Sequence, residues 1–261
     1  MSEHPIAARW RALGDRGRGK ALIPYVTAGF PTPTASRDAL QAVAAAGADF
    51  VEVGVPFSDP LADGPTIQRT TQAALEQGMT AAGVLTLIRE AALGVPVVIM
   101  TYLNPVLAYG VERFVADAHA AGAAGLLLTD LPAGADPAVE SAVTRSPLAL
   151  IRLVAPTTDD TRLAVALHGA KGFVYLISRL GVTGARDQVP ADLEQHVRRV
   201  RAATPLPVAV GFGISTPAQA AAAARYADGV VVGSALMDAL AQGGVGAAER
   251  LVRDLAAAVH A

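Results

Sequence analysis

One acidic residue stands inside an otherwise apolar segment with the composition of a β-strand. Glu52 lies in the run 49–53 (DFVEV), which continues directly into a loop rich in glycine, proline and aspartate. A carboxylate in such a strand is costly to bury unless it is protonated, paired or used in chemistry. Burial should raise its pKa toward the range useful for proton transfer. Glu52 is therefore a candidate general acid and base, and a structural ion pair under the loop is the alternative.

Two aspartates occupy the loop after this strand. Asp63 precedes Gly64 and Pro65, and a turn fixed by these residues could aim its carboxylate over the end of the strand. Asp59 shares the loop. We expect one of the two aspartates to serve only in forming the turn.

Glycine motifs near the end of the chain are typical of a phosphate site. The run 207–211 leads into GFGIS (211–215), and the run 228–232 leads into GS (233–234). The segment SALMDAL then predicts a short helix before the glycine pair at 243–244. Unpaired N–H groups and the positive end of the helix dipole attract a phosphate dianion, and glycine lets the backbone approach it. The alternative is that these glycines only form tight turns.

Histidine and lysine stand in the wrong places for two common kinds of site. The five histidines lie in the tails or in helical segments: His4, His119, His168, His196 and His260. None of them follows a predicted strand, so we expect no histidine-ligated metal at the strand ends. The two lysines, Lys20 and Lys171, precede their strands, which disfavours a Schiff base with substrate or with pyridoxal phosphate. With a metal site and a Schiff base both disfavoured, the chemistry that the sequence favours is proton transfer by carboxylates beside a phosphate site.

Aromatic residues and one long loop complete the candidate site. Four aromatic residues fall on predicted strands or just beyond them and could line a flat apolar pocket, although each alone is more often core packing: Tyr25, Tyr102, Tyr175 and Phe212. The segment 178–187 is long and contains two glycines, Gly181 and Gly184, that could act as hinges, which is typical of a lid. An ordinary surface loop is the alternative.

These residues depend on an alternation of short strands and alanine-rich helices along the whole chain. The predicted strands are 21–27, 49–53, 96–100, 124–128, 148–153, 173–177, 207–211 and 228–232. The predicted helices are 34–46, 66–77, 80–93, 111–121, 137–144, 158–168, 191–203, 216–225 and 246–259, with a capping helix at 6–14. Near-continuous apolar strands separated by helices indicate a parallel sheet buried on both faces. Eight such units without a linker predict one (β/α)₈ TIM-barrel domain over 1–261, with active-site residues where strands end.

Bulk properties exclude several classes of protein. Apolar residues make up 52 % of the 261, but no apolar run approaches the ~20 residues that a membrane helix needs. The absence of cysteine excludes a disulfide framework and a thiolate zinc site. A formal net charge of −2 gives no electrostatic reason to expect nucleic acid or an anionic membrane as partner. The first residues lack the apolar region of a secretory signal, so we expect a cytoplasmic protein.

The chain resembles the α subunit of tryptophan synthase over essentially its whole length. The most specific segment is VEVGVPFSDPLADGPTIQ at 51–68. Further matches, in the same order, are IPYVTAGFP, TDLP, YLISRLGVTGAR, GFGIS and GSA. The resemblance implies cleavage of indole-3-glycerol phosphate to indole and glyceraldehyde 3-phosphate by a retro-aldol reaction. It also implies that the chain itself uses no cofactor and pairs with a pyridoxal-phosphate-dependent β subunit in an α2β2 complex with a channel for indole.

The resemblance assigns roles to individual residues. Glu52 matches the general acid and base that protonates indole C3, and Asp63 matches the carboxylate that binds the indole N–H. Tyr175 matches a pocket residue, and Thr183 matches a lid residue that reaches toward the Asp63 loop. Backbone groups are implied to hold the phosphate at Gly184, Gly213, Gly233 and Ser234. Tyr25 stands where many relatives have phenylalanine, a departure that bears on pocket polarity and not on the type of reaction.

Three other functions remain open on the sequence. A lyase that acts alone and releases indole would use the same residues without an obligate partner. A catalytically silent regulatory subunit is the second possibility, against which the presence of Glu52 and Asp63 argues. A sugar-phosphate isomerase or epimerase is the third, disfavoured because no histidine or lysine follows a predicted strand.

Overall fold

Eight parallel strands close into a barrel in a computed structural model that describes residues 3–15, 17, 19–177, 192–211 and 213–261. Each strand pairs with its sequence neighbours, and β1 closes the barrel against β8 with Ala21 opposite Gly229. The strands are β1 Ala21–Thr27, β2 Val51–Gly54, β3 Val97–Thr101, β4 Ala123–Leu128, β5 Ala149–Val154, β6 Val174–Ile177, β7 Val208–Gly211 and β8 Gly229–Val232. The predicted (β/α)₈ fold is confirmed.

The helices surround the barrel in the order the sequence predicts. They are α1 Pro5–Asp15, α2 Pro33–Ala45, α3 Pro65–Glu76, α4 Ala81–Ala91, α5 Leu103–Tyr109, α6 Val111–Ala120, α7 Pro137–Arg145, α8 Asp160–Ala166, α9 Leu193–Ala203, α10 Pro217–Ala224 and α11 Ser234–Val259. Their apolar faces and the outward strand residues form one large buried cluster, which includes Leu40, Phe114 and Val210. This layer accounts for the near-continuous apolar strands, because both faces of each strand are covered.

A second apolar cluster fills the inside of the barrel. The fully buried side chains there include Ile23 in β1 and Phe50 and Phe173, which immediately precede β2 and β6. Helix α1 closes the floor of the barrel, where the Trp10 ring lies 5.0 Å from that of Phe50 and 6.1 Å from that of Phe173. The filled interior confines any open space to the other end, where the strands finish.

Helix α11 contains the predicted short helix after β8. It begins at Ser234, and its backbone leaves helical geometry at Gly244, where φ is 66° and ψ is −166°. The first part of α11 is thus the short extra helix, and the second part covers the outside of the barrel. Helix α5 is an element that the sequence analysis does not predict, because the Asn104-Pro105 pair reads as a turn.

A buried aspartate joins both ends of the chain to the barrel floor. Asp49 is fully buried and accepts a hydrogen bond from the Leu22 backbone N–H at 2.8 Å. Its two carboxylate oxygens also contact the Arg9 guanidinium and the His260 ring, each at 2.8 Å. These contacts hold α1 and the end of α11 on the side opposite the strand ends.

Within the described ranges, no helix combines the length and the apolar character needed to cross a membrane.

Candidate active site

A cavity of about 270 Å³ lies at the carboxyl ends of the strands. It is bounded by residues of five strands (β1, β2, β3, β6 and β8) and by the loops that follow β2, β7 and β8. Its described lining residues are Tyr25, Glu52, Ala62, Asp63, Gly64, Thr66, Ile67, Met100, Tyr175, Gly213, Ile214, Ser215, Val231, Gly233, Ser234, Ala235 and Asp238. The predicted carboxylates and the predicted phosphate glycines thus share one cavity.

Glu52 lies at the bottom of this cavity and points into the barrel. It is paired in register with Tyr25 of β1 and is fully buried. Neither carboxyl oxygen has a hydrogen-bond partner among the described residues. Burial without a compensating partner raises its pKa to about 8. The carboxyl group is therefore protonated near neutral pH and free to give its proton to a bound molecule, and no described ion pair supports the structural alternative.

Asp63 lines the same cavity from the loop that leads into α3. Burial raises its pKa to about 6, while a hydrogen bond from the Tyr102 hydroxyl opposes this rise. The same hydroxyl accepts the Ala62 backbone N–H at 2.9 Å, and the Asp63 carbonyl accepts the Gln68 side-chain amide at 2.9 Å. The Asp63 loop is thus fixed on both sides. At neutral pH its carboxylate is ionised, whereas Glu52 carries a proton.

Two further candidate residues, Tyr102 and Asp59, lie in or beside the Asp63 loop and not in the cavity wall. Tyr102 is not among the described lining residues, because its hydroxyl is directed to the Asp63 loop and its ring lies 5.3 Å from that of Phe57. Asp59 is exposed: its carboxylate accepts the Ser58 hydroxyl at 2.6 Å and its carbonyl accepts the Leu61 N–H at 2.9 Å, a placement compatible with a residue that serves only in the turn.

Tyr25 and Tyr175 both line the cavity, and each packs against a glycine in a neighbouring strand. A Cβ atom at Gly54 would lie 2.0 Å from the Tyr25 hydroxyl, and one at Gly211 would lie 2.1 Å from the Tyr175 hydroxyl. Any side chain at either glycine would displace a buried tyrosine. Burial raises the pKa of both phenols, so both stay protonated.

The part of the cavity formed by the loops after β7 and β8 presents mainly backbone groups, and we call it the phosphate side. Gly233 precedes α11, and the N–H groups of the first helical turn from Ser234 have no partner within the helix. Gly213 has a φ of +82°, which glycine adopts readily. The adjacent Ser215 is held by the Gln219 side chain, which accepts its backbone N–H at 2.8 Å and its hydroxyl at 3.0 Å. This side suits an anion, because unpaired N–H groups and a helix dipole converge on it.

Some predicted residues lie elsewhere. Thr183, Gly184, Phe212 and the whole predicted lid (178–187) fall outside the described residues. Lys20 donates to the Ala227 carbonyl and Lys171 to the Thr144 carbonyl, both before their strands, as the sequence indicates. Within the part of the chain that is described, no group of three or more histidine, aspartate and glutamate side chains is arranged to hold a metal ion.

Three polar residues that line the cavity were not predicted from the sequence: Thr66, Ser215 and Asp238. Thr66 and Asp238 lie in helical segments, where a polar residue is ordinary, and they meet only through the fold. Ser215 stands in the quoted GFGIS motif, so its position beside a phosphate-type glycine could have identified it.

Comparisons with known proteins agree over nearly the whole chain. A family model described as "Tryptophan synthase alpha chain" matches residues 13–260. The tryptophan synthase alpha chain of Acidiphilium cryptum is 50 % identical over 241 residues, covering 91 % of this chain and 87 % of the relative. That of Gluconacetobacter diazotrophicus is 51 % identical over 238 residues, covering 90 % and 86 %.

Solved structures give the same result. A structure of Mycobacterium tuberculosis tryptophan synthase superimposes with a TM-score of 0.92 at 41 % identity and covers all of both chains. The tryptophan synthase subunit alpha of Legionella pneumophila superimposes with a TM-score of 0.90 at 34 % identity over 99 % of each chain.

Proposed function

This chain belongs to the tryptophan synthase alpha chain family, and we propose how its cavity carries out the α reaction of tryptophan biosynthesis. That reaction cleaves indole-3-glycerol phosphate to indole and glyceraldehyde 3-phosphate. The bond that breaks joins C3 of the indole ring to the glycerol chain. Its electrons need an acceptor, and an indole ring protonated at C3 supplies one in its own nitrogen. The protein must therefore supply a proton donor, a base, a group that stabilises the positive charge on the ring, and groups that bind the phosphate.

Glu52 is the proposed proton donor and base. Its buried carboxyl, free of hydrogen-bond partners among the described residues and with a pKa raised to about 8, is the single observation that carries the proposal. It gives its proton to indole C3 and, once ionised, assists removal of the proton from the glycerol hydroxyl nearest the ring. As the bond breaks, the electrons return to the ring and the hydroxyl becomes the aldehyde. A pKa near the working pH serves both directions of transfer.

Asp63 is the proposed stabiliser of positive charge on the ring. Protonation at C3 places that charge on the indole nitrogen, whose N–H a carboxylate can accept. The Asp63 loop is held by Tyr102 and Gln68 before substrate arrives, so little reorganisation is needed at the moment of reaction. A fixed charge in a site partly shielded from water stabilises a transition state more than the same charge in water does.

The backbone of the cavity's other side is proposed to bind the phosphate. Gly213, Gly233 and Ser234 supply N–H groups, and α11 directs its positive end toward the cavity. No lysine or arginine is among the described lining residues, so on this side the dianion would be held by peptide dipoles. Tyr25 and Tyr175 are proposed to enclose the indole ring. By resemblance alone, Thr183 is proposed as a lid residue and Gly184 as a further phosphate-binding residue, and Phe212 is proposed for the pocket from its place in the sequence just after β7.

We further propose the assembly in which this chain works. No cofactor is needed in the chain itself, and its partner is a pyridoxal-phosphate-dependent β subunit in an α2β2 tetramer. The proposal rests on family membership and on the name tryptophan synthase borne by the solved relatives. A cytoplasmic location and a single domain over 1–261 belong to the same proposal. A rise in the rate of indole release on adding a cognate β subunit separates it from a lyase that acts alone.

Incubation of the purified protein with indole-3-glycerol phosphate tests the activity directly. Indole and glyceraldehyde 3-phosphate should appear in equal amounts. Glu52→Gln, which keeps the size of the side chain but removes its proton chemistry, should produce no indole while still binding the substrate. Indole formation at the normal rate by this variant would overturn the role of Glu52. No indole from the unchanged protein, alone or with a β subunit, would instead favour a silent regulatory subunit.

A further inference from the structure

Three polar side chains connect the Asp63 loop to the helix at the phosphate side of the cavity. Thr66, in the first turn of α3, lies with its hydroxyl 3.2 and 3.3 Å from the two carboxylate oxygens of Asp238 in α11. The Arg69 guanidinium lies 3.1 Å from Asp238 Oδ1 and 3.2 Å from the Thr66 hydroxyl. We call this group the α3–α11 clasp.

The direction of each hydrogen bond in the clasp follows from its chemistry. A guanidinium has donors only, so the Thr66 oxygen accepts from Arg69. The single proton of Thr66 is then available for Asp238, which is an acceptor when ionised. Each member thus has a defined role, and the arrangement requires Asp238 to keep an oxygen acceptor at its present place.

The clasp joins parts of the chain that are far apart in sequence and adjacent to the two halves of the site. Thr66 is three residues after Asp63, and Asp238 is one turn beyond Ser234. Both Thr66 and Asp238 also line the cavity. A shift of α11 as it meets a phosphate would therefore reach the Asp63 loop through this contact.

We propose that Asp238 is a positioning residue, which through Thr66 couples occupancy of the phosphate side to the placement of the Asp63 carboxylate. This inference rests on the proposed function. Arg69 contributes less than its charge suggests, because its side chain is 66 % exposed and that of Asp238 41 % exposed, and exposed ion pairs are weak. The partly buried bond from Thr66 is the principal link.

Kinetics of substituted proteins test the clasp. Asp238→Ala and Thr66→Val should each lower kcat about tenfold with KM for indole-3-glycerol phosphate nearly unchanged, because a misplaced Asp63 weakens the transition state and not the ground state. The double variant should lose no more than either single one, since both break the same bond. Asp238→Asn keeps an oxygen acceptor and should restore most of the rate.

Glu76→Ala is the matched control. Glu76 lies at the exposed end of the same helix and accepts the Gln72 amide at 3.0 Å, so its loss removes a side-chain hydrogen bond from α3 without touching α11. This variant should keep the normal kcat. An Asp238→Ala protein that matches this control, or that raises KM alone, would overturn the proposal.

Backbone hydrogen exchange provides a readout that does not need turnover. Inorganic phosphate should slow exchange in the 59–66 segment of the unchanged protein and of Glu76→Ala, but not of Asp238→Ala. Equal slowing in all three proteins would overturn the coupling. If the unchanged protein fails to cleave indole-3-glycerol phosphate, the proposed function fails, and the exchange experiment alone decides whether the clasp couples the two sides.

Discussion

The two carboxylates of the cavity should make cleavage depend on pH in a bell-shaped manner. Glu52 must be protonated in order to give a proton to indole C3, and its pKa is raised to about 8 by burial. Asp63 must be ionised to stabilise the ring, and its pKa is raised to about 6. The profile of kcat/KM reports the free enzyme, so its acidic limb should lie near the pKa of Asp63 and its basic limb near that of Glu52.

The size of the effect follows from these two values. At pH 7, about 90 % of Glu52 is protonated and about 90 % of Asp63 is ionised, so about 80 % of the enzyme is in the active form. At pH 5 or pH 9, one of the two groups is about 90 % in the wrong form. Activity should therefore fall roughly tenfold for each pH unit beyond the plateau on either side.

The assay is indole release from indole-3-glycerol phosphate between pH 5 and pH 9.5 at constant ionic strength. Phosphate monoesters also titrate near pH 6, roughly where Asp63 does, so a control must separate the two. Tyr102→Phe removes the hydrogen bond that lowers the pKa of Asp63, and should move the acidic limb to higher pH. If the acidic limb of the Tyr102→Phe variant does not move, that limb reflects titration of the substrate's phosphate and not of Asp63. A basic limb absent below pH 9 would refute the reasoning for Glu52.

Three further predictions concern single substitutions. Because the folded-state pKa of Glu52 exceeds its ordinary value, the protein loses stability as pH rises from about 4.5 to about 8, by up to about 5 kcal/mol. Because the raised pKa of Asp63 contributes in the same direction up to about pH 6, Glu52→Gln should remove the slope between pH 6 and pH 8 in urea unfolding, and a slope retained in that range would count against a protonated Glu52. Asp63→Asn should slow indole release about 10²–10³-fold with substrate still bound, and near-normal turnover would remove Asp63 from the mechanism. Gly211→Ala should displace Tyr175 and raise KM, whereas Gly94→Ala, with nothing within 4 Å of its new methyl group, should not; equal KM values would contradict the wall that Tyr175 forms.

The barrel could be predicted from the sequence because its strands obey simple rules. Each predicted strand boundary lies within two residues of the observed one, as with 49 against Val51. Strands buried on both faces are short and apolar, and alanine-rich helices separate them. Helix α5 was missed because Asn104-Pro105 has the composition of a turn, although the Asp130 side chain accepts the Leu103 N–H at 2.7 Å where the helix begins.

The candidate site could be predicted in part for a different reason. Glu52 is conspicuous because a carboxylate in an apolar strand contradicts its surroundings. Tyr102 was expected to line the pocket, but whether a strand-end tyrosine faces a cavity or a loop depends on where the loop returns. Asp238 carries no signal of its own, because its partner Thr66 is 172 residues away in sequence. Contacts of that kind exist only once the barrel has closed.

Asp49 brings the two ends of the chain within reach of one carboxylate, on the face remote from the cavity. A short flexible linker could therefore connect residue 261 to the first helix without crossing the entrance. Neighbouring termini of this kind are what circular permutation requires. A permuted chain, reopened at a surface turn such as the one around Gly94, should keep its carboxylates and its anion-binding backbone in register.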